Sequence, residues 1–408
     1  MKQIRGFQPE IGWIFVMETK KRNTILLLSL VFAIFLQCKI DLPIDDDEDE
    51  HLPPKRLALR WEYKYEKGAG FLTLSPTVVS DSTIVFSGAP MLESLTILNG
   101  RLLWQSNLHN DMSLQSDHLL YNNEILVAPQ TDRVLVWDRK SGNSIWNYLV
   151  PKEDVGSVGL YYNALEGNCF YLAGTSTVQK IQLLDGLSWS TRFYQRIVAV
   201  LVQDTLVYAS TFKSDNRKDG AYEIGNVISI HAVTGDSLWA YSISGSAPSY
   251  TAPLLGDGTT IYVGSNSASG KHTDIFRTYA IDAHDGDLVW KTSEEVFTYH
   301  HILIGDTIYG NDGLGLYALD KHTGDLLWQT DLEVGHGERP VAYWDGYLYH
   351  AKGGALHVVD ARTGEIVIHK MLGPDKSSVR VASAGAGAVF VQTNQHLYCY
   401  EPYQPGEE

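Results

Sequence analysis

The 408-residue sequence predicts an all-β protein, an eight-bladed β-propeller whose ring closes by pairing an N-terminal strand with the last blade. Three observations predict it. An Asx-x-x-Thr-Gly turn recurs along the chain, and a tryptophan follows its glycine at a nearly constant offset. The interval between these tryptophans also fits the roughly 40–50 residues of a four-stranded blade. Ten Trp, 23 Tyr and 36 Gly suit many short strands joined by tight turns.

The chain opens on a targeting pattern. Lys20-Lys21-Arg22 forms a basic cluster directly after Met17, a candidate true start, and Thr24 to Leu36 is almost wholly apolar. That stretch is shorter than the roughly 20 residues of a membrane span but suits the apolar centre of an export signal. Residues 1–37 are therefore expected to be a signal segment. The run Phe35-Leu36-Gln37-Cys38 resembles a bacterial lipoprotein signal, which implies that Cys38 is lipidated and anchors the protein to a membrane. Gln37 stands where that pattern has a small residue, so an ordinary cleaved signal and an uncleaved anchor remain alternatives. Residues 38–56 read as a tether: the like charges of Asp45 to Glu50 repel one another, and Pro53-Pro54 stiffens the approach to the first strand. An acidic run just past the cysteine also resembles the surface-export signal of Bacteroidota lipoproteins, so the periplasmic and cell-surface sides both stay open.

From residue 57 onward the chain repeats. The clearest turn copies are Asp320-Lys321-His322-Thr323-Gly324 leading to Trp328, and Asp282-Ala283-His284-Asp285-Gly286 leading to Trp290. Others place Gly142 before Trp146, Gly235 before Trp239 and Gly100 before Trp104. In Asp360 to Ile368 the glycine is Gly364, and Ile368 takes the tryptophan position. The copy with Gly186 and Trp189 is one residue short between the two. Asx side chains bond turn amides, while glycine accepts the left-handed conformation that closes a hairpin with a bulge. A tryptophan recurring once per unit on one strand face is expected to dock blades by burial between neighbouring sheets.

Trp61, Trp104, Trp146, Trp189, Trp239, Trp290, Trp328 and Ile368 are spaced 43, 42, 43, 50, 51, 38 and 40 residues apart. After Ile368 only three strands remain, near Val379–Ala382, Ala388–Gln392 and His396–Glu401, with Pro402 as the stop. Leu57–Tyr65, which carries Trp61, is an outer strand with no blade before it. Pairing the two partial blades gives eight and leaves no open edge. Seven blades with a separate N-terminal strand is the competing arrangement. The propeller is expected over 57–402, with 403–408 a C-terminal tail.

These repeats resemble the PQQ-like (quinoprotein-type) propeller family, and the resemblance covers about residues 57–401. It implies two branches. Quinoprotein dehydrogenases hold pyrroloquinoline quinone and calcium in the central funnel. The sequence has no Cys-Cys pair, no Cys-x-x-Cys-His and no covering insert. The other branch is the non-catalytic, BamB-like outer-membrane propeller lipoproteins, which share its size, blade number and exported start.

Chemistry is sparse elsewhere. No catalytic constellation, metal set or cofactor motif stands out, so none is expected. Cys169 and Cys399 lie in apolar strands and read as buried small residues. Tyr299-His300-His301 falls on a first strand, where adjacent side chains point to opposite faces and cannot chelate together. Gly335-His336-Gly337-Glu338-Arg339 reads as a connector, Ala384-Gly385-Ala386-Gly387 as a hairpin turn, and Trp137 and Trp344 as core or rim packing. A net charge of −16 argues against nucleic acid, which needs a basic stripe.

Units four and five are the long ones, and both excesses fall between second and third strands, at Ser210–Asn226 and Ser265–Thr278. Lys213, Asp215, Arg217, Lys218 and Asp219 lie in the first, and Lys271, His272 and Asp274 in the second. Loops at that place emerge on the face of the blade-to-blade connections, so the pair forms a charged wall on one rim. The expectation is a monomeric, non-enzymatic, envelope-anchored scaffold that presents this face to an envelope protein or a glycan. A dehydrogenase-like or small-ligand-binding protein with its site in the funnel is the alternative.

Overall fold

The computed structural model describes residues 57–405 except for 66–74, 89–90, 109–118, 131, 154–161, 218–219, 245–246, 249–252, 267–276, 294–295, 297–299, 313, 333–339, 373–378 and 394. The lipidation candidate Cys38, the acidic tether, and Lys218, Asp219, Lys271, His272, Asp274 and Gly335–Arg339 lie outside the described residues.

The described chain forms eight antiparallel sheets in a ring, seven of four strands and one of five. Strands are lettered a to d from the channel outward, and blades are numbered from the first complete one, whose strand a is Thr77–Ser80 and strand d Leu102–Asn107. Blade 8 is composite: Val379–Gly385, Ala388–Thr393 and His396–Tyr400 are strands a to c, and Leu59–Lys64 supplies strand d. The register Trp61↔Cys399 to Lys64↔His396 joins the two ends of the chain. That closure gives every inner blade two neighbours and covers what a seven-blade count would leave as an exposed edge.

The repeat is physical as well as textual. In blades 1 to 7 the tryptophan position pairs with the strand-c residue just before a register shift, from Ser94↔Trp104 to Ala318↔Trp328 and Val358↔Ile368. The extra residue is the one preceding the tryptophan, which leaves Leu103, Ile145, Leu238, Val289 and Leu327 facing solvent. A bulge at one place per blade twists each outer strand alike.

The tryptophans do more than fill space between sheets, since each of six lies on the next blade's turn glycine. A Cβ added to Gly100, Gly142, Gly235, Gly286, Gly324 or Gly364 would sit 3.0 Å or less from Trp61, Trp104, Trp189, Trp239, Trp290 or Trp328 respectively. All six glycines have φ between +68° and +81°, so glycine is needed here for conformation and for clearance. The indole N–H of Trp61, Trp189, Trp290 and Trp328 donates to a carbonyl of the same turn at 2.8–3.1 Å.

Blade 3 departs from this. Its turn is one residue short, so Gly186 becomes the first residue of strand d at φ +114° with no neighbour at the Cβ position, and Leu184 takes the left-handed place at φ 75°. Gly186 is therefore not a turn glycine like the others. Trp146 stacks on Tyr148 instead, with ring centroids 6.2 Å apart.

Apolar clusters lie between successive blades, such as Tyr171, Val178, Ile197 and Val207 between blades 3 and 4. Trp137 is buried there too, between blades 1 and 2, and Trp344 is half-buried. The core runs past residue 402, because buried Tyr403 packs on Tyr347 and its amide donates to Tyr349 Oη at 2.9 Å. Ala386 and Gly387, at φ 49° and 68°, close a two-residue hairpin between strands a and b of blade 8.

Candidate interaction surface

Strands a to d alternate in direction, so the b–c hairpins and the connections between blades share one face. The Asx-x-x-Thr-Gly turns share the other. Blade 4 differs from its neighbours on the first face. Its strands b and c, Leu206–Arg217 and Gly220–His231, stay in register from Leu206↔His231 to Arg217↔Gly220. The excess at Ser210–Asn226 is thus a β-ribbon and not an irregular loop, because the backbone ladder of strands b and c continues through it without a register shift. Strand a reaches only to Phe212 and strand d only to Ile224, so the pairs from Ser214↔Glu223 outward have no paired third strand among the described residues. Lys213, Asp215 and Arg217 are ribbon positions.

The ribbon stands on a fixed base. Gln195, in the three-residue link between blades 3 and 4, accepts from Thr211 Oγ1 and, at 2.6 Å, from Asn226 Nδ2. Thr211 and Asn226 are opposite one another in the ladder, and the Asn226 amide donates to Thr211 Oγ1 at 3.2 Å. One side chain therefore clamps both ribbon strands where they leave the blade. The second excess has a similar footing. Arg277, at its end, donates to the carbonyls of Thr292 and Ser293 and ties strand c of blade 5 to the next connection. Ala247–Pro248 adds a short fifth strand beside Ser265 and Asn266.

The channel side carries its own contacts. Tyr162 precedes strand a of blade 3, and its hydroxyl meets His300 Nδ1, on strand a of blade 6, at 2.9 Å. This bond passes the inner strands of blades 4 and 5. The Tyr162 backbone also bridges in parallel to strand a of blade 4. His301, its neighbour, is buried and bonds the Pro253 carbonyl through Nε2. Burial holds its pKa down to about 4, so it is neutral near pH 7. A cavity of about 300 Å³ opens between the inner strands of blades 7, 8 and 1, with Ser75, Val78, Tyr343 and Ser383 in its wall.

Gln195, Thr211, Asn226 and Tyr162 carried no signal in the sequence. Each is an ordinary polar residue whose role depends on a partner 15 to 138 positions away. His300 and His301 adjoin in the sequence, and the structure sends them to different partners.

A family model described as outer membrane protein assembly factor BamB matches residues 91–315 and 313–402. The chain belongs to the BamB family. BamB from Moraxella catarrhalis superposes with a TM-score of 0.63 at 12% identity, covering 85% of this chain and all of that one. A computationally designed protein, Ika8, gives 0.65 at 16% identity over 85% of this chain and 100% of its own. A europium-containing methanol dehydrogenase gives 0.60 at 12% identity, covering 85% of this chain and 94% of the other. At such identities the likeness is one of fold, shared by an assembly factor and an enzyme. Comparison with curated protein sequences finds no match.

Proposed function

We propose that this BamB-family propeller is a non-enzymatic lipoprotein of the cell envelope, held to the outer membrane through Cys38, and that it serves outer-membrane protein assembly as an interaction scaffold. The observation that carries the reading is the blade 4 ribbon. It projects from a rigid ring on a clamped base, as binding elements on scaffolds do. Its sequence carries Lys213, Arg217 and Lys218 on a chain of net charge −16. Charges on a binding element act mainly on the association rate and its salt dependence.

The cavity beside blades 7, 8 and 1 favours the second reading, a small ligand in the funnel. Calcium takes six to eight oxygen ligands, carboxylates prominent among them. Among the described residues the cavity wall holds hydroxyls and apolar groups and no charged residue. Pyrroloquinoline quinone with calcium therefore does not fit these residues.

The test is charge reversal. The double variant Arg217→Glu, Lys218→Glu should fold normally, which its thermal melting checks. It should recover less of an outer-membrane assembly subunit from envelope extracts, most clearly at low salt. Equal recovery at every salt concentration would remove the ribbon as the docking element.

A further inference from the structure

Three histidines stand in one row across blade 7. His350 on strand b pairs with His357 on strand c, and His357 pairs with His369 on strand d. Directly paired residues share a sheet face, so all three point to the same side. That side faces blade 6. Leu348 and Val359, on the same face, pack with Leu316, Ala318 and Leu332 of blade 6, and His350 Nε2 lies 3.4 Å from Asn311 Nδ2.

The middle histidine is the unusual one. His357 is 1% exposed, neither ring nitrogen is within full hydrogen-bond geometry of a described residue, and the Lys352 backbone is the one group named as favouring its proton. The charged and titratable groups around it are nearly all cations or potential cations. Strand d supplies His369, exposed, with ring centroids 4.7 Å apart, and strand b supplies His350 and Lys352. Lys352 is buried, and its ammonium donates to the carbonyls of Leu314 and Leu332 in blade 6. The blade 6 carboxylates Asp312 and Asp331 act on Lys352. Tyr309 of blade 6 and Tyr343 of strand a are stacked on each other. A proton on His357 thus has no carboxylate of its own to meet and has Lys352 and His369 to repel it.

We propose that the seam between blades 6 and 7 is an acid-sensitive joint, in which protonation of His357 parts the two blades. The cause is local. A charge that cannot be solvated or paired in place drives the opening that lets water reach it. Burial and the neighbouring His369 and Lys352 hold His357 at about 4, against 6.5 for a solvated imidazole. Linkage between those two values raises the opening constant of the seam about 20-fold between pH 7 and pH 5.

Hydrogen exchange of the full chain, followed by mass spectrometry at pH 7 and pH 5 and corrected for intrinsic rates, reads this opening. The expected result is faster exchange confined to peptides of blades 6 and 7, lost in His357→Phe. Should that variant not fold, His369→Gln carries the test. It removes one repelling neighbour from an exposed site and should move the exchange midpoint to higher pH. A rise spread evenly over the eight blades, or an unchanged pH profile in these variants, would overturn the proposal.

Discussion

Replacing Gly324 with alanine should destabilise the ring far more than the same change at Gly346. Both glycines are left-handed, at φ +75° and +83°, so both substitutions carry the strain of a left-handed alanine, about 1–2 kcal/mol. Only Gly324 touches a neighbouring blade. A Cβ there would lie 2.5 Å from the Trp290 ring, whereas at Gly346 it meets nothing within 4 Å. The indole must move, and it takes with it the 2.9 Å bond from Nε1 to the Lys321 carbonyl, worth about 1 kcal/mol. Exposing a quarter of a typical aromatic burial of about 200 Å² adds about 1 kcal/mol at about 25 cal/mol/Å². The expected losses are thus about 3–4 kcal/mol for Gly324→Ala and 1–2 for Gly346→Ala. Urea unfolding, followed by circular dichroism, measures both. Equal losses would mean that tryptophan docking on the turn contributes nothing to holding adjacent blades.

Three further outcomes follow from the same structure. Deleting residues 57–65 removes strand d of blade 8 and should leave the His396–Tyr400 edge open, giving a protein that melts lower and self-associates; unchanged melting would contradict the closure. Cys38→Ser should release the protein from the membrane fraction, and full retention would point to an apolar anchor instead. His301 is held neutral, with its pKa at about 4 against 6.5 unfolded, so its stabilising effect is complete above pH 6.5 and is lost as pH falls towards 4. The loss is about 3 kcal/mol at most. His301→Phe should flatten the stability profile over that window, and an unaltered slope would assign the acid sensitivity elsewhere.

The blade count and the closure were legible because they rest on local chemistry repeated many times. An Asx turn, a left-handed glycine and a following tryptophan leave the same trace in each unit, and Trp61 could be assigned to blade 8 only because three strands were left over at the other end. The short copy at Gly186 was visible as a missing residue, but its consequence was not. Losing one position moved the glycine off the left-handed turn, so Trp146 had no turn glycine to lie on. The ribbon was legible as extra length and misread as loop, because a polar ladder such as Lys213 to Arg217 has no apolar alternation to mark it as strand. The clamp by Gln195 and the bond from Tyr162 to His300 were not legible. The first joins a link residue to two strands of blade 4 and the second joins different blades, and only the folded chain brings these partners together.

The reading of this chain as an assembly scaffold stands or falls on which face meets a partner. A photo-crosslinking amino acid at position 217, at the outer end of the blade 4 ribbon, and a second at position 322, on an exposed turn of the opposite face, tests this in growing cells. Position 217 should give one discrete adduct containing a subunit of the outer-membrane assembly machinery, and position 322 should give none. The same adduct from both positions, or from 322 alone, would contradict the account.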